Sequence, residues 1–454
     1  MTRREFCAAP ALLNLQQRRR PNLIFLLGDD HRWDALGCMG NPRVHTPNID
    51  SLSRSGVTFR RHFVTTAICV TSRASIFTGQ WARTHQVVEF NRQFTAEQHT
   101  HTYPGVLRAA GYRTGFIGKY GLDKPPAPKE QFDYWAGFLG QGRYFPQGEP
   151  GPHLTDILTG QAREFLNGAK AGQPFCLSVS YKAPHVQDDD PRQFLPAPED
   201  MPRYAQVRMP VPKTMDSDAI THLPLSVQGS EGRRRWAVRF STPELFQRSV
   251  RNYYALITGV DRSVGTILAE LDRLGLRDNT ILVYTGDNGF YLGEHGLAGK
   301  WFMHEESIRV PLIASGPGIA AGRSVDAMTL NVDLAPTLVD LAGASVPAAM
   351  QGTALTSWLR GSTPARWRTE WFFEHRVRAN GWIPPTEGIR TERWKYTQYP
   401  EEQPVFEELY DLQADPLEER NLAHDPAQAG VLAQLRGRRQ AWIRSLDQDR
   451  RPAG

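Results

Sequence analysis

No apolar run in this chain approaches the roughly 18 residues that a membrane helix requires, so the sequence predicts no membrane span. Four cysteines, Cys7, Cys38, Cys69 and Cys176, show no CxxC or CxxH spacing. That excludes zinc-finger and thioredoxin-like motifs and argues against a disulfide framework. Internal repeats and low-complexity tracts are also missing. Basic residues are scattered rather than gathered into a stripe. Their tightest cluster, Arg233-Arg234-Arg235, reads as solvated surface, so nucleic acid is not an expected partner.

What remains is an ordinary globular composition: 454 residues, 40% hydrophobic and 22% charged, with a net charge of +5. This length allows one large and one small domain. Residues 1–20 form a separate stretch, in which Thr2-Arg3-Arg4-Glu5-Phe6 has a twin-arginine look and precedes the short apolar run Cys7–Leu15. This reads as a twin-arginine-type export signal, which implies a bacterial periplasmic or secreted protein; the alternative is a disordered tail on a cytoplasmic one. Residues 21–365 read as the catalytic domain. A break near Gly361-Ser362-Thr363-Pro364 leaves residues 366–454 as a C-terminal subdomain, with short strands around Trp371–Glu374 and Trp394–Tyr396 and a final helix presenting Val431, Leu432, Leu435, Trp442 and Ile443.

Two apolar runs, Leu23–Leu27 and Thr280–Thr285, read as strands buried on both faces. Each ends in oxygen donors: Gly28-Asp29-Asp30 and Gly286-Asp287-Asn288. Carboxylates at a strand tip must be solvated or meet a cation, and in open α/β sheets that edge is where ligands bind. One such pair is accounted for by a turn; two matched pairs favour a hard divalent cation, Ca²⁺ or Mg²⁺, rather than zinc. The stretch Ala67–Gly79 reads as the start of a short helix, with Thr71 or Ser72 as cap and Gly79 as stop. Cys69 then lies just before unpaired N–H groups that favour an anion and lower a thiol pKa, with Arg73 beside it. Further strands are expected at Gly111–Lys119, ending in Lys119, at Phe175–Ser180, leading to His185, and at Ile308–Ala314. A long helix is expected over Arg251–Leu274, after a polar excursion from Val186 to Ser241.

These motifs, in this order, resemble the type I sulfatases of the alkaline-phosphatase-like superfamily. Cys69, Ser72, Arg73, Ala74 and Thr78-Gly79 match that family's signature, Thr71 standing where proline is most common. Asp29–Gly37, Thr46–Leu52, Asp287-Asn288 and Lys300 match further segments. The resemblance implies an α/β fold with a mixed, mostly parallel sheet between helices and a small C-terminal α+β subdomain. It implies hydrolysis of a sulfate monoester, with a sulfated carbohydrate as expected substrate. Cys69 would be converted by a formylglycine-generating enzyme to formylglycine. Ca²⁺ would be bound by Asp29, Asp30, Asp287, Asn288 and the modified Cys69, with Mg²⁺ the lesser alternative. Arg73, Lys119 and Lys300 would stabilise sulfate charge, and His185 or Lys300 would protonate the leaving alcohol. Many sulfatases carry His two residues after the strand-tip lysine; here that position is Gly121, and a metal-bound carboxylate or His295 is the candidate replacement base. Two other readings stand beside this one: a phosphonate monoester or phosphodiester hydrolase of the same superfamily, and a non-catalytic binder of sulfated glycan.

Overall fold

β1 (Asn22–Asp29) is buried along all eight residues, as its unbroken apolar run requires of a central strand with both faces covered. A computed structural model describes residues 20–215, 218–377 and 383–449; the arginine pair, the apolar run after it and Cys7 lie outside them. The other strands of the main sheet are β2 (Gly56–Phe63), β3 (Arg113–Lys119), β4 (Tyr134–Phe138), β5 (Phe175–Pro184), β6 (Thr280–Gly286), β7 (Arg309–Ser315), β8 (Arg323–Val325) and β9 (Thr329–Leu330). They lie in the order β8-β2-β7-β6-β1-β5-β3-β4, with β9 pairing to β2. Among the described residues β7 is the one strand that runs antiparallel to its neighbours β2 and β6. The architecture is the α/β, mostly parallel arrangement that the sequence predicts.

Register brings the chemistry together. Gly28 pairs with Gly286, so Asp29 and Asp287 leave adjacent parallel strands side by side. Gly118 pairs with Ser180 and Asp29 with Pro184, so Lys119 and His185 emerge at the same sheet edge.

Two helices differ from expectation. The long helix spans Pro243–Arg273, starting eight residues before the predicted Arg251, because Thr242 accepts from Leu245 N–H and Pro243 occupies the first turn. The helix Cys69–Thr78 starts at Cys69 itself. Ile68 is its N-cap residue, without a side-chain cap bond, and Gly79 closes it at φ 67°. Neither Thr71 nor Ser72 caps it: the Ser72 hydroxyl accepts from Asn331 Nδ2 at 2.9 Å, and Thr71 is fully buried within the helix. The excursion Val186–Ser241 is largely loop but contains the helix Glu231–Arg239, where Glu231 pairs with Arg234 and Arg235 of the basic cluster.

Beyond residue 366 four antiparallel strands, Glu370–His375, Thr386–Thr391, Trp394–Tyr399 and Phe406–Asp411, form a second sheet. The helix Ala429–Gln448 buries Leu432, Leu435 and Leu446 in one apolar cluster with Trp371, Phe372, Ile389 and Leu409, and with Phe63 and Val310 of the main sheet. No helix among the described residues is long and apolar enough to cross a membrane.

Candidate active site

Three carboxylates and three cations interlock at the C-terminal edge of β1, β3, β5 and β6, all of them at most 4% exposed. Lys119 Nζ lies 2.5 Å from Asp29 Oδ2. Arg73 Nε donates to Asp287 Oδ2 at 2.8 Å, and its Nη2 lies 3.4 Å from Asp29 Oδ2. Its Nη1 donates to the Lys119 carbonyl at 2.7 Å and to the Ser180 hydroxyl. Lys300 Nζ lies 2.6 Å from Asp30 Oδ1. Asp30 sits at φ 63°, a left-handed turn that its polar side chain tolerates; its N–H donates to Asp287 Oδ1 at 3.0 Å.

The charges follow from these contacts. Burial would raise Asp29, but Lys119, Arg73 and Lys300 overcome it and hold that carboxyl at about 2. Burial and the neighbouring Asp29 push Asp287 up to about 7. Asp30 is raised as well, chiefly by burial. Burial would lower Lys300, but Asp30, Cys69 and Asp29 together overcome it and keep the ammonium charged. Burial also raises the Cys69 thiol, with Lys119 and Lys300 pulling the other way. That corrects the expectation of a lowered thiol pKa: at 3% exposure, loss of solvent outweighs the helix start. Unmodified Cys69 is therefore a poor thiolate nucleophile.

The pit can hold a cation. Asp29 Oδ1, Asp30 Oδ2 and Asn288 Oδ1 are buried acceptors without a hydrogen-bond partner, an arrangement that is costly unless something positive meets them. The Asn288 amide is oriented by its Nδ2, which donates to Asp30 Oδ1 at 2.7 Å and to the Gly289 carbonyl at 2.8 Å, and that leaves Oδ1 bare. Oxygen donors of this kind fit a hard divalent ion. The structure adds His185, which offers one ligand atom within 4.8 Å of those of Asp29 and Asp30.

His185 is held in one tautomer. Its Nδ1 lies 2.6 Å from the Val186 carbonyl, which can only accept, so Nδ1 carries the proton and the neutral ring presents a bare Nε2, 3.6 Å from Asp30 Oδ2. Burial, with Lys300, Lys119 and Lys182 nearby, drives it well towards that neutral form.

His295 is elsewhere. Its ring stacks on His304 at 4.1 Å, and its Nε2 lies 3.8 Å from Glu306 Oε2; the two-stranded ribbon Tyr291–Leu292/Ala298–Gly299 carries it into that separate polar cluster. Gly121 has its own reason. At φ 84°, a Cβ there would lie 2.3 Å from Arg73 Cδ, so the Arg73 side chain occupies the space a larger residue would need.

Sequence reasoning missed two groups. Ser180 is visible only through the β3–β5 register. Gln141, whose Oε1 accepts from Lys119 Nζ at 2.7 Å, was signalled only by its flanking glycines.

A family model described as "Sulfatase" matches residues 21–344. The chain belongs to the sulfatase family. This sulfatase-family chain also matches, over residues 293–444, a model described as the C-terminal part of N-sulphoglucosamine sulphohydrolase. It is 31% identical over 485 residues to the N-acetylglucosamine-6-O-sulfatase of Bacteroides thetaiotaomicron, covering 92% of this chain and 84% of that one. Among solved structures it superposes on a protein in complex with its substrate D-glucosamine-2-N,6-O-disulfate with a TM-score of 0.81, 29% identity and coverage of 95% and 99%. The phosphonate monoester hydrolase of Silicibacter pomeroyi gives a TM-score of 0.76 at 26% identity, over 94% and 96%.

Proposed function

We propose that this chain hydrolyses sulfate monoesters of an amino sugar or related carbohydrate, through a formylglycine made from Cys69 and a divalent cation held by Asp29, Asp30, Asp287 and Asn288. The observation that carries this reading is the convergence of Arg73, Lys119 and Lys300 on three carboxylates around Cys69. The likeness to an N-acetylglucosamine-6-O-sulfatase and to a structure bound to a sulfated glucosamine supports the substrate class. Ca²⁺ is the ion we favour.

Held by Asp29, Asp30, Asp287 and Asn288, the cation would supply the activation of the hydrated aldehyde as nucleophile. This chain's own residues do the rest. Arg73 fixes Asp29 and Asp287 through separate nitrogens, so the ligand geometry is set before substrate arrives. Lys119 and Lys300 present N–H groups to sulfate oxygens, where negative charge grows as the ester bond breaks. Lys300 is the better proton donor to the leaving alcohol, because it is charged and His185 shows a bare Nε2. His185 then serves as a neutral nitrogen at the cation or sulfate. Burial of the whole set excludes water and strengthens each charge contact.

The test is sulfate release. Protein produced with a formylglycine-generating enzyme, and verified by peptide mass at Cys69, should release sulfate from N-acetylglucosamine 6-sulfate or glucosamine 6-sulfate. A second reading rests on the likeness to a phosphonate monoester hydrolase. Higher kcat/KM on an aryl phosphonate than on any sulfate ester would replace the first reading with this one. Binding of sulfated glycan without any release by converted protein would instead support a non-catalytic binder. We also propose that residues 1–20 direct export and that the catalytic domain ends near residue 365. Loss of export on Arg3→Lys with Arg4→Lys, and the site of limited proteolysis, test these two.

A further inference from the structure

Nearly every group that builds the charged pit is sealed from solvent. Gln141 is exposed, yet its Oε1 accepts directly from Lys119 Nζ at 2.7 Å. It therefore spans the distance between the reaction centre and the outside.

The loop that carries it is braced. Gly140 and Gly142 flank Gln141 with φ of 76° and 64°, left-handed conformations that let the chain double back over Lys119. Gly140 N–H donates to Asp123 Oδ1 at 2.9 Å. On the other side Tyr144 N–H donates to Gln187 Oε1 at 3.0 Å, the Tyr144 hydroxyl donates to the His185 carbonyl at 2.6 Å, and Arg143 pairs with Asp189. The segments 140–144 and 185–189 are thus stitched together beside the charged cluster. A loop fixed in this way holds its side chain ready for a ligand.

The orientation of the amide is not free. An ammonium only donates, so Gln141 must turn its oxygen to Lys119 and its Nε2 away from it. The Nε2 hydrogens have no acceptor among the described residues, on a side chain that is itself exposed. One amide group therefore fixes the lysine with one atom and leaves a donor beside it for whatever enters.

We propose that Gln141 is a specificity-determining residue: its Nε2 donates to an acceptor oxygen of the leaving alcohol, close to the carbon that bears the ester. The substrate class this selects is a polyhydroxylated alcohol such as a sugar, rather than an alcohol lacking oxygen near the ester. This rests on the sulfatase reading above and deepens it.

The test separates the two faces of the amide by binding, without turnover. In a Cys69→Ala background, calorimetry is run with glucosamine 6-sulfate and with inorganic sulfate. Gln141→Met should weaken the sugar sulfate about tenfold, the range of one lost hydrogen bond, and inorganic sulfate less than threefold. Gln141→Glu keeps an acceptor for Lys119 but has no N–H to give. The ratio of its two dissociation constants should shift in the same direction. In converted enzyme the same two variants should raise KM for the sugar sulfate more than they lower kcat. Equal weakening of both ligands, an unchanged ratio, or a loss confined to kcat would overturn the proposal. Failure of the Cys69→Ala protein to bind any sulfated sugar would overturn it too. A protein that binds sulfated sugar in a Gln141-dependent way but releases no sulfate after conversion upholds this assignment and overturns the functional reading alone.

Discussion

Arg73 uses Nε and Nη1 on three different acceptors, and its Nη2 points at a fourth, Asp29. A lysine has one nitrogen at the end of a flexible stem and cannot reproduce that fork. Arg73→Lys should therefore lower kcat by at least about 100-fold, on the scale of losing one preorganised donor set, while a circular-dichroism melt remains cooperative. Near-normal turnover would remove Arg73 from the architecture of the site. The proton donor is settled by a second comparison. Lys300→Ala should slow a sugar sulfate, with its poor leaving group, far more than an activated aryl sulfate. His185→Ala should slow both alike, since its bare Nε2 carries no proton. The reverse pattern would return the acid role to His185.

At the level of elements, the Cys69 helix and the β3 tip are fitted to each other through Gly121. Its φ of 84°, and Arg73 Cδ in the space that a Cβ would fill, mean that Gly121→Ala must displace the arginine or distort the turn. Activity should fall about tenfold or more with a stability loss of about 1–3 kcal/mol, read by denaturant melts and by sulfate release. An unchanged enzyme would show that Arg73 has room to shift. These elements also mark how far the sequence could be read. Asp29, Asp30, Asp287 and Asn288 were legible because each pair directly follows an apolar run that can only be a buried strand. Cys69 and Arg73 were legible because they share one helical turn. The partnership of Arg73 with Ser180 was not, since it joins a residue of the Cys69 helix to one of β5 across 107 positions. His295 was misplaced because nearness in sequence to Asp287 says nothing about the ribbon that turns between them. The start of the long helix was missed because Thr242 and Pro243, a cap and a first-turn proline, fall between the expected excursion and the expected helix.

For the molecule as a whole, buried titratable groups set two opposing slopes in stability. Burial holds His31, His99 and His375 near 4 and His62, His85 and His295 near 3. When folded they bind fewer protons than the unfolded chain, so their contribution is present above about pH 6.5 and is lost as pH falls below it. Glu374 and Glu408 are raised to about 7 and Glu306 to about 8, chiefly by burial. Their contribution is present at low pH and is lost as pH rises from about 4.5 through 7 to 8. The melting temperature should therefore peak at about pH 6.5. A flat profile between pH 5 and 9 would show that these groups take up water or shift in solution. At fixed pH, Ca²⁺ added to chelator-treated protein should raise the melting temperature, because an ion that binds only the folded pit stabilises it by mass action. Asp287→Ala should abolish that rise. A wild-type protein indifferent to both Ca²⁺ and Mg²⁺ would end the case for a cation.

The near-complete enclosure of Cys69 also has a meaning in time. Its cover comes from segments that are made late: 231 residues separate it from Lys300. At ribosomal rates of about 5–20 residues per second, the thiol stays within reach for about 10–50 s before those segments exist. Any enzyme that must alter Cys69 competes with translation rather than with the finished fold. On the proposed formylglycine mechanism, a chain that closes unaltered has sealed Cys69 away, so the fraction of working molecules is decided while they are still being made.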